Sequence, residues 1–112
     1  MTLKEDIERV LDTVDTPYAY GYTPKSFPSI RYTLISNTPI RLSNSKAYKN
    51  IEYQIDVFHQ EPFDVEDENS LLEQIEQGLE QTGLNTTNWI ENIVPDDRSQ
   101  FTIYHYFLTV RS

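Results

Sequence analysis

The feature that most constrains this fold is an alternating strand followed directly by a helix, within residues 51–83. The apolar side chains of the strand alternate with polar ones, and they are Ile51, Tyr53, Ile55 and Val57. A period of two is typical of a strand with one buried face, and β-branched and aromatic residues favour that structure. Pro62 ends the strand because proline cannot donate to a ladder of hydrogen bonds.

The periodicity then changes to that of an amphipathic helix, which we expect to begin at Asp64. Its apolar stripe consists of Val65, Leu72, Ile75 and Leu79. Gly83 is predicted to end the helix in a left-handed conformation. The acidic residues at the predicted helix start are Asp64, Glu66, Asp67 and Glu68. Carboxylates there stabilise the helix dipole by about 0.3–1 kcal/mol each.

Residues 2–13 predict an earlier helix. Thr2 and Glu5 form a capping-box pattern, in which each side chain satisfies a free backbone N–H of the first turn. The apolar stripe of this helix is Leu3, Ile7, Val10, Leu11 and Val14. A strand is predicted at residues 29–35, where alternate residues are apolar, and residues 37–39 have the composition of a turn.

Three tyrosines, Tyr18, Tyr20 and Tyr22, occupy alternate positions in what is either an edge strand or an ordered loop. Two interpretations stay open. Tyrosines form partner-binding surfaces, because each offers a large contact area with a polar tip at low entropic cost. Tyrosines also cover the exposed edge of a core in proteins that bind no partner there.

Residues 40–49 are rich in Ser, Asn and Lys and poor in apolar side chains. They predict a polar hairpin that protrudes between two core strands, with its tip at residues 43–45. Arg41, Lys46 and Lys49 make this the most basic stretch of the chain. Because so few apolar groups are present, we expect an exposed arm that a neighbouring molecule orders.

The last third of the chain predicts two more elements. Residues 84–97 fit either a strand or one short helical turn, and residues 95–97 give a turn signal. Residues 101–110 are almost continuously aromatic or β-branched, which predicts a strand near the middle of the sheet with both faces buried. The predicted fold class is α+β, with a mostly antiparallel sheet of about four to five strands, two helices packed on it and the protruding arm.

Composition limits the class of protein. A chain of 112 residues makes one domain, residues 1–112, and the 12% aromatic content favours a packed core. The chain has no cysteine, which excludes disulfides and thiolate metal sites. No apolar run approaches the roughly eighteen residues of a membrane span, and residues 1–12 lack the apolar core of a signal peptide. We therefore expect an intracellular protein that binds no membrane.

The net charge of -9 is distributed unevenly. Residues 1–50 hold seven Lys and Arg against five Asp and Glu, whereas residues 51–112 hold two against thirteen. An acidic half binds DNA poorly, and a bipolar molecule is suited to head-to-tail contact between copies. Acidic helices also serve simply to keep a protein soluble.

No pattern of residues indicates an enzyme or a cofactor site. His59 and His105 could hold a metal or act as acid and base only if a third group joined them, and the spacing offers none. The acidic cluster lacks the alternation and the central glycine of a calcium loop. Three glycines are too few for a phosphate-binding loop, and no Gly-x-Ser-x-Gly elbow is present. We expect neither catalysis nor a bound cofactor or metal.

The order of elements resembles the tail terminator (tail completion) proteins of long-tailed bacteriophages and prophages. The similarity lies in the proline-led strand at residues 27–32, the central strand at residues 53–58, the helix at residues 71–79 and the closing strand at residues 107–110. It covers most of the chain, although it is a pattern of elements and carries no invariant motif. The polar stretch of residues 41–49 departs from the family pattern.

The resemblance implies a structural protein of the virion. Such proteins form hexameric rings that cap the tail tube, stop its growth and join it to the head connector. The implied partners are other copies of the chain, the tail tube protein and the head connector protein, with DNA passing through the ring without specific binding. The implied location is the tail or neck of the virion, and the host cytoplasm during assembly. The alternatives are a neck protein beneath the portal, a small acidic inhibitor that imitates DNA, and a minor enzyme using the two histidines.

Two sets of charged residues are candidates for the contacts of such a ring. Arg41, Lys46 and Lys49, with the three tyrosines, form a candidate interface with a neighbouring subunit or the tail tube. Glu73, Glu76 and Glu80 share one strip of the second helix. This acidic strip either meets the basic arm of the next subunit or lines the channel, where it repels DNA.

Overall fold

A computed structural model describes residues 2–42, 45–96 and 101–112, and for residues 40–42, 45–48, 96 and 101 it describes the backbone alone. Two helices and six strands follow one another along the chain: α1 Leu3–Thr13, β1 Tyr18–Tyr20, β2 Ser29–Leu42, β3 Ser45–His59, α2 Leu71–Gln81, β4 Asn85–Thr86, β5 Ile90–Asp96 and β6 Phe101–Arg111. Among the described residues, no helix is long and apolar enough to span a membrane.

The first helix forms as the sequence predicts. Thr2 is the N-cap residue, and its hydroxyl accepts the Glu5 N–H at 3.1 Å. The Glu5 carboxylate reaches back to accept the Thr2 N–H, which completes the capping box. The Thr2 hydroxyl also donates to this carboxylate, and that bond, with the one from the Thr2 N–H, lowers the pKa of Glu5. The apolar side of α1 is buried against the sheet through Ile7, Val10 and Leu11.

The second helix begins later than predicted, at Leu71, with Ser70 as its N-cap residue. The prediction that it starts at Asp64 is wrong, because Asp64 accepts the backbone N–H two residues on and Asp67 does the same. Such turns compete with helix formation. Val65 therefore lies in an exposed turn and does not belong to the apolar stripe of the helix. The acidic cluster of residues 64–68 also precedes the first helical turn.

The end of α2 agrees with the prediction at Gly83. This glycine has a φ of 80°, which is the left-handed conformation that glycine tolerates best. Its N–H donates to the Glu80 carbonyl, and the N–H of Leu84 donates to the Leu79 carbonyl. This pair of bonds is a Schellman motif, and the buried Leu84 supplies its apolar contact.

The strands form one mostly antiparallel sheet in the order β1-β2-β3-β6-β4, with β5 also paired to β6. Among the described strands, β1 and β2 are the one pair that runs parallel. The α+β fold class is confirmed, with six strands because β1 and β4 add two short strands at the edges. Residues 84–97 include the strands β4 and β5 and no helical turn among the described residues. Pro95 and Asp96 belong to β5, so the predicted turn does not include them, and Asp97 lies outside the described residues.

Both helices cover one face of the sheet, which we call the covered face. The helices contribute Ile7, Val10, Leu11, Leu72, Ile75 and Leu79, and the strands contribute Ile30, Tyr32, Ile55, Val57, Tyr106, Leu108 and Val110. Each fully buried aliphatic side chain contributes about 1.5–3 kcal/mol, so this layer supplies most of the hydrophobic stabilisation. Gly78 lets the helices approach, since a Cβ atom there would lie 2.7 Å from Cγ1 of Val10.

The protruding hairpin predicted from the sequence is present, and it is longer than predicted. Residues 37–42 of β2 pair with residues 45–51 of β3, beyond the point where β6 begins to pair at Glu52. We call this two-stranded segment the arm. The prediction of a turn at residues 37–39 is wrong, because their partners on β3 keep them extended. Of the predicted tip at residues 43–45, Ser45 begins β3 and pairs with Leu42, and residues 43 and 44 lie outside the described residues.

The position predicted for the last strand is confirmed. β6 pairs with β3 on one side and with β4 and β5 on the other, which makes it a central strand. The prediction that both of its faces are buried is wrong. Tyr106, Leu108 and Val110 are buried on the covered face, whereas His105 and Phe107 on the opposite face are only half-buried. No helix of the described chain lies over that second face.

Candidate interaction surface on the open face of the sheet

The face of the sheet opposite the helices, which we call the open face, carries a buried carboxylate at its centre. Asp56 lies on β3, pairs in register with Arg31 on β2 and with Phe107 on β6, and is 0% exposed. A charge in such a position needs compensation, because its desolvation costs several kcal/mol. The side chains around Asp56 provide that compensation and also cover it.

Three polar side chains surround this carboxylate. Oδ1 of Asp56 accepts a hydrogen bond of 2.8 Å from Nε2 of Gln54, and it lies 2.7 Å from Nε2 of His105. An ionised carboxylate only accepts hydrogen bonds, so Nε2 of His105 is the donor in this contact. Nε of Arg31 lies 3.6 Å from the second oxygen, Oδ2, which has no hydrogen-bond partner among the described atoms.

Aromatic rings complete the cluster. The Phe58 ring stacks on the His105 imidazole with centroids 4.4 Å apart and an interplanar angle of 10°. The Arg31 guanidinium lies 5.1 Å above the same Phe58 ring, and Phe107 packs beside His105. These contacts hold the Arg31 guanidinium and the His105 imidazole in place over Asp56. The result is a surface patch that combines charge with flat apolar area.

The chemistry that this cluster can perform is limited by what touches the imidazole. His105 contacts Asp56, Phe58 and Phe107, and no described hydroxyl or amine donates to it or accepts from it. An Asp–His pair orients an imidazole for proton transfer, but a nucleophile or a substrate position beside it is also required. The described contacts of His105 include no such nucleophile.

The two histidines do not come together. His59 pairs in register with Tyr104, on the covered face, and stacks on Phe63 at 5.2 Å. His105 lies on the open face, so the sheet separates the two rings. Among the described residues, no three His, Asp or Glu side chains are grouped so that they would hold a metal ion.

A second polar feature is a cleft of about 180 Å³ at the end of the sheet where β4 pairs with β6. Its lining residues are Glu52, Asn85, Thr86, Thr87, Thr109 and Arg111. The backbone N–H of Thr109 donates a hydrogen bond of 2.8 Å to the hydroxyl of Thr87. The residues that line the cleft are polar or charged, and the cleft lies next to the base of the arm.

The predicted tyrosines lie at one edge of the sheet. Tyr18 and Tyr20 form β1, and both rings pack against Tyr32 with centroids 6.0 and 5.2 Å away. The hydroxyl of Tyr18 donates to Asp12, and this bond, with burial, raises the pKa of Tyr18 to about 12. Tyr22 is 68% exposed. Both interpretations of these tyrosines therefore stay open: Tyr18 covers the core edge, Tyr20 packs on Tyr32 but is 43% exposed, and Tyr22 faces solvent.

The predicted acidic strip is formed by one side of α2. Glu73 and Glu76 are half-buried, and Glu80 is exposed. Partial burial, together with the charges of Glu73 and Glu80, raises the pKa of Glu76. Arg41 and Lys46 belong to the strands of the arm, and their side chains lie outside the described part; Lys49 is exposed on the arm. In a single chain, the structure gives no contact between Lys49 and this strip.

Sequence reasoning missed most of the open-face cluster. Arg31, Gln54, Asp56 and Phe58 were not among the candidate residues. The polar positions of β3 and the aromatic positions of β6 are visible in the sequence, but their pairing is not, because Asp56 and His105 are 49 residues apart. A polar strand beside an aromatic one is the signal that was available, and the register needed to use it comes only from the fold.

Comparison with known proteins assigns the chain to no family. No protein-family model matches the chain, and no curated protein is significantly similar to it in sequence.

Proposed function

We propose that this chain is a structural subunit of a phage tail, a tail terminator that forms a ring on the end of the tail tube and joins it to the head connector. The resemblance in element order suggests the tail terminator class, and the structural observation that carries an assembly role is the arm. Its two strands pair with each other beyond the end of β6, and the molecule measures 56 × 30 × 22 Å as a result. A segment that extends away from its own core is suited to contact with a neighbouring subunit or the tube.

Two further features support an assembly role. The open face carries flat aromatic area around Asp56 and is not covered by any described element of the same chain. The arm and the acidic strip carry opposite charge, from Lys49 and its neighbours in sequence against Glu73, Glu76 and Glu80. Exposed ion pairs contribute only about 0–1 kcal/mol each, so such charges would set the register while apolar contacts hold the ring.

Imaging tests the function directly. The purified protein is examined by negative-stain microscopy alone and after mixing with tail tubes. Rings, or tubes capped at one end, are the expected result. Free tubes of unchanged length and an unassembled protein would contradict the proposal. An inhibitor that imitates DNA, the alternative that the acidic charge favours, would instead bind a DNA-binding protein as a small particle without forming rings.

Charge reversal tests the contact between arm and strip. Changing Arg41, Lys46 and Lys49 together to Glu should weaken ring formation, and a further change of Glu73, Glu76 and Glu80 to Lys should restore it. If ring formation ignores both changes and the Lys variant slows DNA passage, the strip lines the channel. If the arm does contact the strip, raising the salt concentration should weaken ring formation, because salt screens exposed charges.

A further inference from the structure

The exposed large apolar side chains of the described residues lie almost entirely along two opposite edges of the sheet. On or beside β1 and the adjoining part of β2 are Tyr20, Tyr22, Phe27, Leu34 and Ile35, which we call the tyrosine edge. On β5 are Ile90, Ile93 and Val94, which we call the β5 edge. Val65 is the one exposed member of the set elsewhere in the described chain. Apolar residues concentrated in this way mark interaction sites.

The two edges also have unlike charge. Residues 16–51 contain five Lys and Arg, namely Lys25, Arg31, Arg41, Lys46 and Lys49, and no Asp or Glu. Residues 50–97 contain thirteen Asp and Glu, among them Glu91 and Asp96 of β5, and no Lys or Arg. The tyrosine edge therefore belongs to a segment with only basic charges, with Asp12 and Glu8 of α1 beside Tyr18 and Tyr32. The β5 edge belongs to a segment with only acidic charges. Charge of this kind favours contact between unlike edges over contact between like edges.

The backbone at both edges has unused pairing capacity. β5 pairs only with β6, so its outer side has no partner strand among the described residues. β1 pairs with β2 only from Ile30 to Tyr32, and beyond Tyr32 the outer side of β2 has no partner strand within the described part of the chain. A bulge between Leu34 and Ser36 interrupts the free edge of β2, and Pro95 interrupts the free edge of β5. Each irregularity shortens the stretch to which another strand could pair. The exposed apolar side chains lie within these shortened stretches or next to them.

We propose that the β5 edge of one copy of this chain packs against the tyrosine edge of a second copy. The contact is heterologous, because each copy contributes a different edge, so repeated contacts close a ring or extend a filament. That the repeated contacts close into a ring rests on the proposed function. In such a ring the edge contact would supply the apolar interface, and the contact between the basic arm and the acidic strip would align neighbouring subunits. Both contacts join the first half of one copy to the second half of the next.

Two edge-blocking variants test the proposal. Leu34→Asp places a charge in the tyrosine edge, and Ile93→Asp places one in the β5 edge. Both positions are exposed, so each variant should fold, which thermal unfolding of the dilute chain checks. Val65→Asp is the matched control, because it makes the same change at an exposed apolar residue outside both edges. Sedimentation velocity over a range of concentrations measures the size of each species.

The expected result depends on which edges remain intact. The wild-type chain and Val65→Asp should form oligomers larger than dimers. Each edge variant alone should associate at least about tenfold more weakly, since burying an unpaired carboxylate against apolar groups is costly. An equimolar mixture of the two variants should form dimers and nothing larger, because only one intact edge of each kind remains per pair.

Three outcomes overturn the proposal. They are a wild-type chain that stays monomeric at its highest soluble concentration, an edge variant that associates like the wild type, and a mixture that associates no better than its components. Tail capping separates this inference from the proposed function. If the edge variants still cap tubes as rings, the edge contact is wrong and the function stands. If the mixture dimerises but the wild-type chain never binds tubes, the edge contact stands and the function is wrong.

Discussion

The covered face and the open face belong to the same strands, yet they are stabilised by different interactions. On the covered face, mostly aliphatic side chains and two tyrosines, Tyr32 and Tyr106, pack from three strands against two helices. On the open face, aromatic rings, an arginine and an imidazole enclose one carboxylate. The first arrangement is close-packed and tolerates little change in volume. The second depends on charge compensation, and its outer surface remains available for contact.

The comparison explains why a single chain leaves so much of its sheet accessible. A chain of 112 residues with two helices can cover only one face of a six-stranded sheet. The open face then meets solvent or another molecule. Polar residues at its centre keep it compatible with water, and its aromatic residues keep it compatible with a partner. The following predictions test how different the two faces are, beginning with the largest expected effect.

Neighbouring residues of β6 test the comparison most directly. Leu108→Ala removes a fully buried side chain of the covered face and should cost about 2–5 kcal/mol of unfolding free energy. Phe107→Ala changes the open face and should cost less than about 2 kcal/mol, because Phe107 is only half-buried. Urea unfolding of the dilute chain measures both. Equal losses would mean that the open face is packed as a core.

Charge compensation on the open face is tested at Arg31, which is 32% exposed beside the buried Asp56. Arg31→Met should cost about 1–3 kcal/mol, less than for a fully buried pair because the guanidinium is partly hydrated. Lys25→Met, which removes an exposed charge from a loop, is the control and should have almost no effect. The double variant Arg31→Met with Asp56→Asn should recover part of the loss. Strict additivity in this cycle would contradict the coupling.

Close packing beneath the covered face is tested at Gly78, where α2 approaches Val10. Alanine at an ordinary helical glycine gains about 1 kcal/mol of helix propensity. Here the added methyl group would overlap Val10, and overpacking costs about 1–3 kcal/mol, so Gly78→Ala should destabilise the fold by roughly 1 kcal/mol. The cost should disappear in a Val10→Ala background. A stabilising Gly78→Ala in the otherwise unchanged chain would show that the helices can separate freely.

The smallest effect concerns the rim of the helix layer. Burial and the neighbouring glutamates raise the pKa of Glu76. The carboxyl group of Glu76 therefore holds its proton more tightly in the folded chain than in the unfolded chain. The resulting stabilisation is fully present below the ordinary pKa of 4.5 and is lost as the pH rises through the raised value. Glu76→Gln should therefore be more stable than the wild type at pH 7, by roughly a few tenths of a kcal/mol, and equal to it in acid. The exposed Glu66→Gln is the control, and a pH-independent difference for Glu76→Gln would contradict the assignment.

The parts of the fold that sequence predicts are those with local causes. The capping box of Thr2 and Glu5, the stop at Gly83 and the alternation of β3 all involve residues within a few positions of one another. Two errors also have local causes. The turns at Asp64 and Asp67 win over helix formation, although the apolar period extends to Val65. Residues 37–39 have turn composition, and pairing with β3 overrides it.

The candidate site was harder to predict, because it depends on register between distant strands. Asp56 and Phe58 are ordinary members of an alternating strand until β2 and β6 are placed beside them. The basic arm and the acidic strip were recognisable, since their charge is a property of contiguous sequence. Their proposed contact belongs to an assembly, and the fold of a single chain does not include it.

The central position of β6 has a consequence for how the molecule folds. β2 and β3 are adjacent in sequence and can pair as soon as both exist, but β3 meets β6 only across a separation such as the 49 residues between Asp56 and His105. Closing so long a loop is entropically costly and slow compared with hairpin formation. Until β6 pairs with β3, the apolar side chains of β3 and α2 lack the core contacts that Leu108 and Val110 provide. A chain without residues 104–111 would therefore lack the central strand of its sheet. One edge of β3 would then be unpaired and able to pair with another chain. A chain without the arm would keep the covered face complete.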